Sequence, residues 1–301
     1  MAASLATIGK SDEVENQDSS QVASKNVING FYCGWVRDFP EIGRRSYVAP
    51  ASVMRSLPNP VNLRDQMPKV YDQEKILCCT PCALATMVQF VRKKHGQNPD
   101  FPPSRLFLYF NARRMAGDRP RFDTGVTAGD AMRALEKFGV CSEEKWPYDG
   151  RPVDPATGAF PRGNLAAKQP SDNIYADALP HRALLSIAID HDLQKLKASL
   201  ADGYPFMFGF TMYESFFASK DKPLVRIPLP QPHEESKGRH YVLAVGYNDN
   251  DDKGHFLCRN SWGETHQEGG YFYMPYAYFT SRLTEDFWTL RTVQSIDFAI
   301  Y

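Results

Sequence analysis

No sign of charge prevails in this chain. Thirty-five Lys and Arg balance thirty-five Asp and Glu over 301 residues, and the pI is about 7.0. Neutrality removes any whole-chain electrostatic reason to bind nucleic acid or an anionic membrane, so neither is expected as a partner. Long apolar runs are also missing: none approaches the roughly 18–20 residues needed to span a bilayer. The first residues, MAASLATIGKSDEVENQDSS, hold no apolar block and no basic residue ahead of one, so no secretory signal is expected. Cysteine is sparse, with six residues at 33, 78, 79, 82, 141 and 258 and no regular framework spacing. Free thiols in a reducing compartment are therefore expected, which means the cytoplasm, or export without a classical signal peptide. Internal repeats are absent too. The ordinary features that remain, 43% hydrophobic and 13% aromatic residues, belong to a globular chain of one large domain or two lobes, expected as a monomer.

Three stretches differ in texture. Residues 1–28 are polar and aperiodic, which predicts a flexible tail. Residues 29–60 form an arm, aromatic at Phe31, Tyr32 and Trp35 and broken by Pro40, Pro50, Pro58 and Pro60. Residues 61–301 read as the folded domain. Leu84, Met87, Val88 and Val91 recur at i, i+3, i+4 and i+7, predicting a helix over 80–94 with Pro81 in its first turn. Further helices are expected over 104–115, 127–138 and 191–200, and an irregular surface stretch over 149–180. Short aromatic or β-branched runs at 206–212, 240–247, 255–259, 270–274 and 287–291 read as antiparallel strands. Helices ahead of strands make the class α+β, with two lobes packed face to face.

Chemistry concentrates in Gln73-Glu74-Lys75-Ile76-Leu77-Cys78-Cys79-Thr80-Pro81-Cys82. Cys79 sits at the predicted helix start, where unpaired N–H groups and the helix dipole favour a thiolate. Such a thiolate is a nucleophile if a histidine stands nearby; without one, a packed cysteine at a helix start explains it as well. Among seven histidines, His240 stands apart because it opens an apolar strand, Tyr241-Val242-Leu243-Ala244-Val245. Asn260 begins Asn260-Ser261-Trp262-Gly263 just after another strand. It could orient an imidazole beneath Trp262, or the motif could be a plain turn. Cys79-x2-Cys82 lacks the second pair that structural zinc wants, so no metal and no cofactor are expected.

Taken in order, Gln73, Cys79, the His240 segment GRHYVLAVGY and Arg259-Asn260-Ser261-Trp262-Gly263 resemble the papain-like cysteine proteases, in particular a bacterial, xylellain-like branch. In that branch the nucleophile segment reads like Tyr-Asp-Gln-Gly-x-Leu-Gly-Ser-Cys-Thr, against Tyr71-Asp72-Gln73-Glu74-Lys75-Ile76-Leu77-Cys78-Cys79-Thr80 here. Val61-Asn62-Leu63-Arg64, Trp146-Pro147-Tyr148 and Tyr271-Phe272-Tyr273-Met274-Pro275-Tyr276 extend the likeness, which covers about residues 61–291. Gly34-Trp35 through Pro40 is similar to the start of that branch's pro-region.

The resemblance implies a two-lobed fold, a helical left lobe and an antiparallel β-barrel-like right lobe with the site in the cleft between them. It implies that Cys79 is the nucleophile, His240 its base and then acid, and Asn260 the group orienting His240. Gln73 would supply an oxyanion donor, Trp262 would shield the His–Asn pair, and Gly125 would line the substrate groove. The expected function is peptide-bond hydrolysis through a thioester, with the arm of residues 29–60 as an inhibitory or bracing pro-segment. The alternative is a pseudoprotease that binds peptides in the same cleft without turnover. Leu77-Cys78 where Gly-Ser is usual, Glu74 where Gly is usual, and Arg239 ahead of His240 are the departures.

Overall fold

The computed structural model describes residues 27–28, 30–38, 44–97, 100–117, 120–218, 226–251 and 253–294. Residues 1–26, which carry most of the expected tail, lie outside it. Two-residue strands β1 (Val27–Ile28) and β2 (Phe31–Tyr32) pair antiparallel at the head of the arm, and a short helix α1 (Ala51–Arg55) follows. Strand β3 (Val61–Asn62) then joins the main sheet.

The helical half is organised by α2 (Cys79–Lys94). Its expected stripe, Leu84, Met87, Val88 and Val91, is wholly buried, and each such side chain contributes about 1.5–3 kcal/mol. The stripe understates the burial, because every residue from Cys79 to Arg92 is buried. Helices lie against one side of α2 and the sheet against the other, so no face of it meets water. Even Arg92 is accommodated, with its guanidinium 4.5 Å over the Phe101 ring and Nη1 2.9 Å from His181 Nδ1. Helices α3 (Arg105–Met115) and α4 (Ala128–Phe138) start where Ser104 and Thr127 accept the Phe107 and Asp130 N–H groups. Gly139 ends α4 at φ +71°, and a Cβ there would lie 2.0 Å from the Ala178 carbonyl oxygen.

Inside the stretch expected to be irregular, Asp172–Ala178 forms a helix, α5. Its sequence has no period to show. One side chain docks it: Tyr175 meets the rings of Phe107 and Phe138 at 5.3 and 5.6 Å and donates to Asn111 Oδ1 at 2.7 Å. A strand not foreseen, β4 (Ala183–Ala188), follows, and then helix α6 (Leu193–Ala201).

The strand half comprises β5 (Phe206–Tyr213), β6 (Ser236–Asn248), β7 (His255–Arg259), β8 (Tyr271–Pro275) and β9 (Thr284–Val293), with the short helices α7 (Glu214–Ala218) and α8 (Tyr276–Thr280) between them. The sheet runs β4-β9-β5-β6-β7-β8, β3 also pairs with β6, and every pairing is antiparallel. Its inner face carries Phe206, Phe208, Phe256 and Phe287, which meet one another and Phe279 of α8 in ring contacts. The architecture is the α+β arrangement expected.

One buried cation ties the helical half to the loop that carries Gln73. Arg105 holds Glu143 through Nε at 2.9 Å and the Asp72 carbonyl through Nη1 at 2.8 Å, its guanidinium 4.5 Å from the Tyr71 ring and 3.5 Å from the Tyr148 ring. Arg105→Met should lower the unfolding free energy by about 3 kcal/mol, since a carbonyl and a carboxylate lose their donors. Denaturant titration checks this, and a loss below about 1 kcal/mol would contradict it.

Candidate active site

Helix α2 begins at Cys79, with Cys78 as its N-cap and the Cys82 N–H returning to the Cys78 carbonyl at 3.0 Å. The backbone N–H groups of Thr80, Tyr241 and Gly34 lie near the Cys79 sulfur and favour its anion. The first belongs to its own helix, the second follows His240 on β6, and the third belongs to the arm. Three parts of the chain therefore converge on one thiol, and it is fully buried. Burial pushes its pKa up to about 11, against the three N–H groups that pull it down. In this state the thiol is neutral.

His240 presents its ring beside that strand position. Nε2 lies 2.8 Å from Asn260 Oδ1, while Nδ1 is buried with no hydrogen-bond partner among the described residues. The ring stacks on Trp262 with centroids 4.7 Å apart. Burial pushes the His240 pKa down to about 4; the Asn260 contact opposes this and the His266 imidazole adds to it.

Gln73 is fully buried and fixed from two sides. Its Oε1 accepts Ser261 Oγ–H at 2.6 Å, so Nε2 must face the other way, where it donates to the Ile76 carbonyl at 3.1 Å and the Tyr32 carbonyl at 2.7 Å. The loop between Gln73 and Cys79 is held by Asp123, whose carboxylate accepts the Leu77 N–H at 3.0 Å and the Tyr109 hydroxyl. Burial lifts the Asp123 pKa to about 6. Glu74, where a glycine is usual, takes φ +51°.

The arm lies along this whole surface. Phe31 stacks on Trp262 at 4.2 Å, and Trp35 forms a parallel bridge with Val126, framed by Val126 N–H to Gly34 O and Val36 N–H to Val126 O, each 3.2 Å. A Cβ on Gly125 would lie 2.0 Å from the Gly34 carbonyl oxygen, so the arm backbone touches the wall there. The Trp35 indole fills a pocket that exists because residue 209 has no side chain: a Cβ there would lie 2.3 Å from the indole. At its far end Trp35 Nε1 donates to Asp286 Oδ2 at 3.2 Å.

All six residues named from the sequence thus fall on one surface. Cys79, His240, Asn260, Gln73 and Trp262 are joined by direct contacts or by a shared neighbour, and Gly125 meets the same arm segment. Ser261, Asp123 and Gln267 escaped notice. Ser261 sat unremarked inside the Asn-Ser-Trp-Gly motif, Asp123 beside Gly125, and Gln267, which touches Asn260, carries no signal in the sequence.

The family model described as papain family cysteine protease matches residues 123–285, a span that holds His240 and Asn260. The chain belongs to the papain family of cysteine proteases. Xylellain, a cysteine protease from Xylella fastidiosa, is 42% identical in sequence and superposes with a TM-score of 0.80 over 88% of this chain and 96% of that one. An uncharacterized peptidase C1-like protein, L477 of Acanthamoeba polyphaga mimivirus, is 32% identical over 227 residues, 74% of this chain and 69% of that protein. Procathepsin B from Trypanosoma congolense, at 15% identity and a TM-score of 0.68, shares the fold. As a member of the papain family the chain is a cysteine protease, a hydrolase of peptide bonds.

The His240 environment makes a stability prediction for this papain-family chain. A pKa depressed from 6.5 to about 4 means that folding is opposed increasingly as pH falls through that window, by roughly 3 kcal/mol once both values are passed. His240→Gln should therefore lose less stability than the parent between pH 7 and pH 4. Parallel acid-side losses in paired melting curves would contradict the burial of a neutral imidazole.

Proposed function

We propose that the protein is a latent endopeptidase in which Cys79, His240, Asn260 and Gln73 carry the reaction and the arm blocks it. The observation that carries this reading is the convergence of Thr80, Tyr241 and Gly34 N–H groups on the Cys79 sulfur, beside an imidazole whose Nδ1 is open and whose Nε2 is engaged by Asn260. With Nε2 protonated toward Asn260, Nδ1 is the atom that takes the Cys79 proton. The thiolate then attacks the substrate carbonyl carbon. The developing oxyanion is met by Gln73 Nε2–H and the Cys79 backbone N–H at the helix start. His240 returns the proton to the leaving amine, and water hydrolyses the thioester with His240 as base. Trp262 keeps bulk water from the His–Asn contact.

The arm imitates only half of a substrate. The Tyr32 carbonyl sits on the oxyanion donor, Gln73 Nε2, at 2.7 Å. The sulfur meets the Gly34 backbone N–H, two residues further on. An arm seated this way fills the cleft. It also excludes water, which leaves both Cys79 and His240 neutral. Displacing it would readmit solvent and return the two pKa values toward each other, so that the thiolate–imidazolium pair can form. We infer that residues 30–60 act as an inhibitory pro-segment on a catalytic unit that begins near residue 61.

Cys79→Ala should abolish both peptide cleavage and the covalent adduct with an activated ester, read by intact mass. An adduct persisting on Cys78 would sink the assignment, and a wild-type chain forming no adduct with its arm displaced would favour the non-hydrolytic binder. Gln73→Ala should lower kcat by about 10²-fold or more with little change in KM. Trp35→Ala, which empties the arm's pocket, should raise turnover of a small peptide by about tenfold or more. Unchanged turnover would make the arm a brace.

A further inference from the structure

Asn260 makes more hydrogen bonds than the reaction asks of it. Its Oδ1 accepts from His240 Nε2 and from the Ser261 N–H, both at 2.8 Å, and its Nδ2 donates to Gln267 Oε1 at 3.1 Å. A primary amide can turn about its terminal bond and exchange oxygen for nitrogen. Turned, it would set N–H against the Ser261 N–H and an oxygen against Gln267 Oε1. Gln267 therefore acts on the end of Asn260 that His240 does not see, and helps decide which end His240 meets.

The backbone of Gln267 gives the second observation. It takes φ +54°, in the left-handed region that glycine enters freely and glutamine does not. The turn around it returns the Gly270 N–H to the His266 carbonyl at 2.8 Å, and the Asn260 N–H to the Gly270 carbonyl at 2.9 Å. A glycine at 267 would close the same turn without strain. The side chain that glycine would lack is the one that reaches Asn260.

We propose that Gln267 is a positioning residue for the hydrolysis assigned above. Together with the Ser261 N–H on Oδ1, its Oε1 on Nδ2 pins the Asn260 amide with Oδ1 toward His240, which keeps the proton on Nε2 and leaves Nδ1 bare for Cys79. Among the groups that face His240, the His266 imidazole lies near enough to oppose its charge, Trp262 and Phe210 pack against the ring, and the neighbouring Glu268 is engaged by Arg64 at 3.3 Å. None of these distinguishes the two ends of the Asn260 amide.

The test pairs Gln267→Gly with Gln267→Glu. Glycine relieves the backbone and removes the acceptor; glutamate keeps the acceptor and the strain. ¹⁵N-histidine NMR of the full-length chain at pH 7 reads the His240 tautomer without needing turnover. Kinetics on a small peptide, with Trp35→Ala in every variant to empty the cleft, read kcat and KM. Gln267→Gly should melt no lower than the parent yet lose the uniform Nε2–H tautomer, with kcat down about tenfold and KM within twofold. Gln267→Glu should restore the tautomer and bring kcat back to within about threefold of the parent. A filler role would move the melting temperature and leave the tautomer alone. An unchanged tautomer and kcat in Gln267→Gly, or no rescue by glutamate, overturns the proposal. Because it rests on the peptidase reading, the two failures are kept apart: no turnover in any variant, with the tautomer responding as described, overturns that reading and not the positioning.

Discussion

Water is kept from the Cys79 sulfur, and most of the site's properties follow from that exclusion. A thiol at a helix start, with three N–H groups directed at it, would ordinarily titrate low. Here the desolvation of the anion outweighs all three, and the group rests as a thiol with a pKa of about 11. The same dryness drives His240 the other way, to about 4. Two groups that exchange a proton in the proposed reaction are thus pushed apart by one cause, and removing that cause would bring them back together. The proposed latency needs no distortion of the residues themselves. Asn260 and His240 already hold the hydrogen bond that the proposed reaction requires; the solvent, the Gly34 backbone at the sulfur and the Tyr32 carbonyl on Gln73 Nε2 are what differ from a working state.

The arm achieves the exclusion by matching absences. Gly34 lies where a Cβ would come within 2.4 Å of Leu77 Cβ, and Gly125 lies where a Cβ would come within 2.0 Å of the Gly34 carbonyl oxygen. Gly209 opens the slot for Trp35. Bare backbone at 34 thus passes between Leu77 and Gly125, and the indole that follows fills the space beside Gly209. Leu77 stands where a glycine is usual ahead of the nucleophile, and taken alone that looks like damage to the cleft. Beside Gly34 it reads as half of a fitted pair, the arm giving up a side chain where the domain has gained one.

The candidate catalytic residues were legible because each is a type out of place. Cys79 begins a helix, His240 opens an apolar strand, and Asn260 follows one; such positions invite a functional account. The core helix was legible through Leu84, Met87, Val88 and Val91, and the strands at 206–213 and 255–259 through their runs of apolar and aromatic residues. What the sequence hid were elements held by tertiary contacts with distant parts of the chain. Helix α5 depends on Tyr175 reaching Phe107 and Phe138, and β4 depends on β9, some hundred residues away. The supports of the site were hidden for the same reason. Ser261 and Asp123 are common residues whose partners, Gln73 and Leu77, are distant in the chain. Pairing of that kind leaves no periodicity in a single sequence.

One strained glutamate and one strained glutamine show how site and scaffold are divided. Glu74 and Gln267 both occupy left-handed backbone, at φ +51° and +54°, in turns that immediately flank the reactive groups. Their side chains are used differently. Glu74 packs against Gly150, whose missing Cβ would otherwise sit 2.6 Å from the Glu74 side chain. It therefore braces the turn after Gln73, with the Lys75 N–H reaching the Gly150 carbonyl at 3.3 Å. Gln267 instead reaches inward to Asn260. Each costs of order 1 kcal/mol or more relative to an unstrained residue, and each returns a contact that glycine could not make. Strain of this kind thus sits in the two turns that aim Gln73 and Asn260, as well as at Lys253, Arg282 and Asp286 away from them.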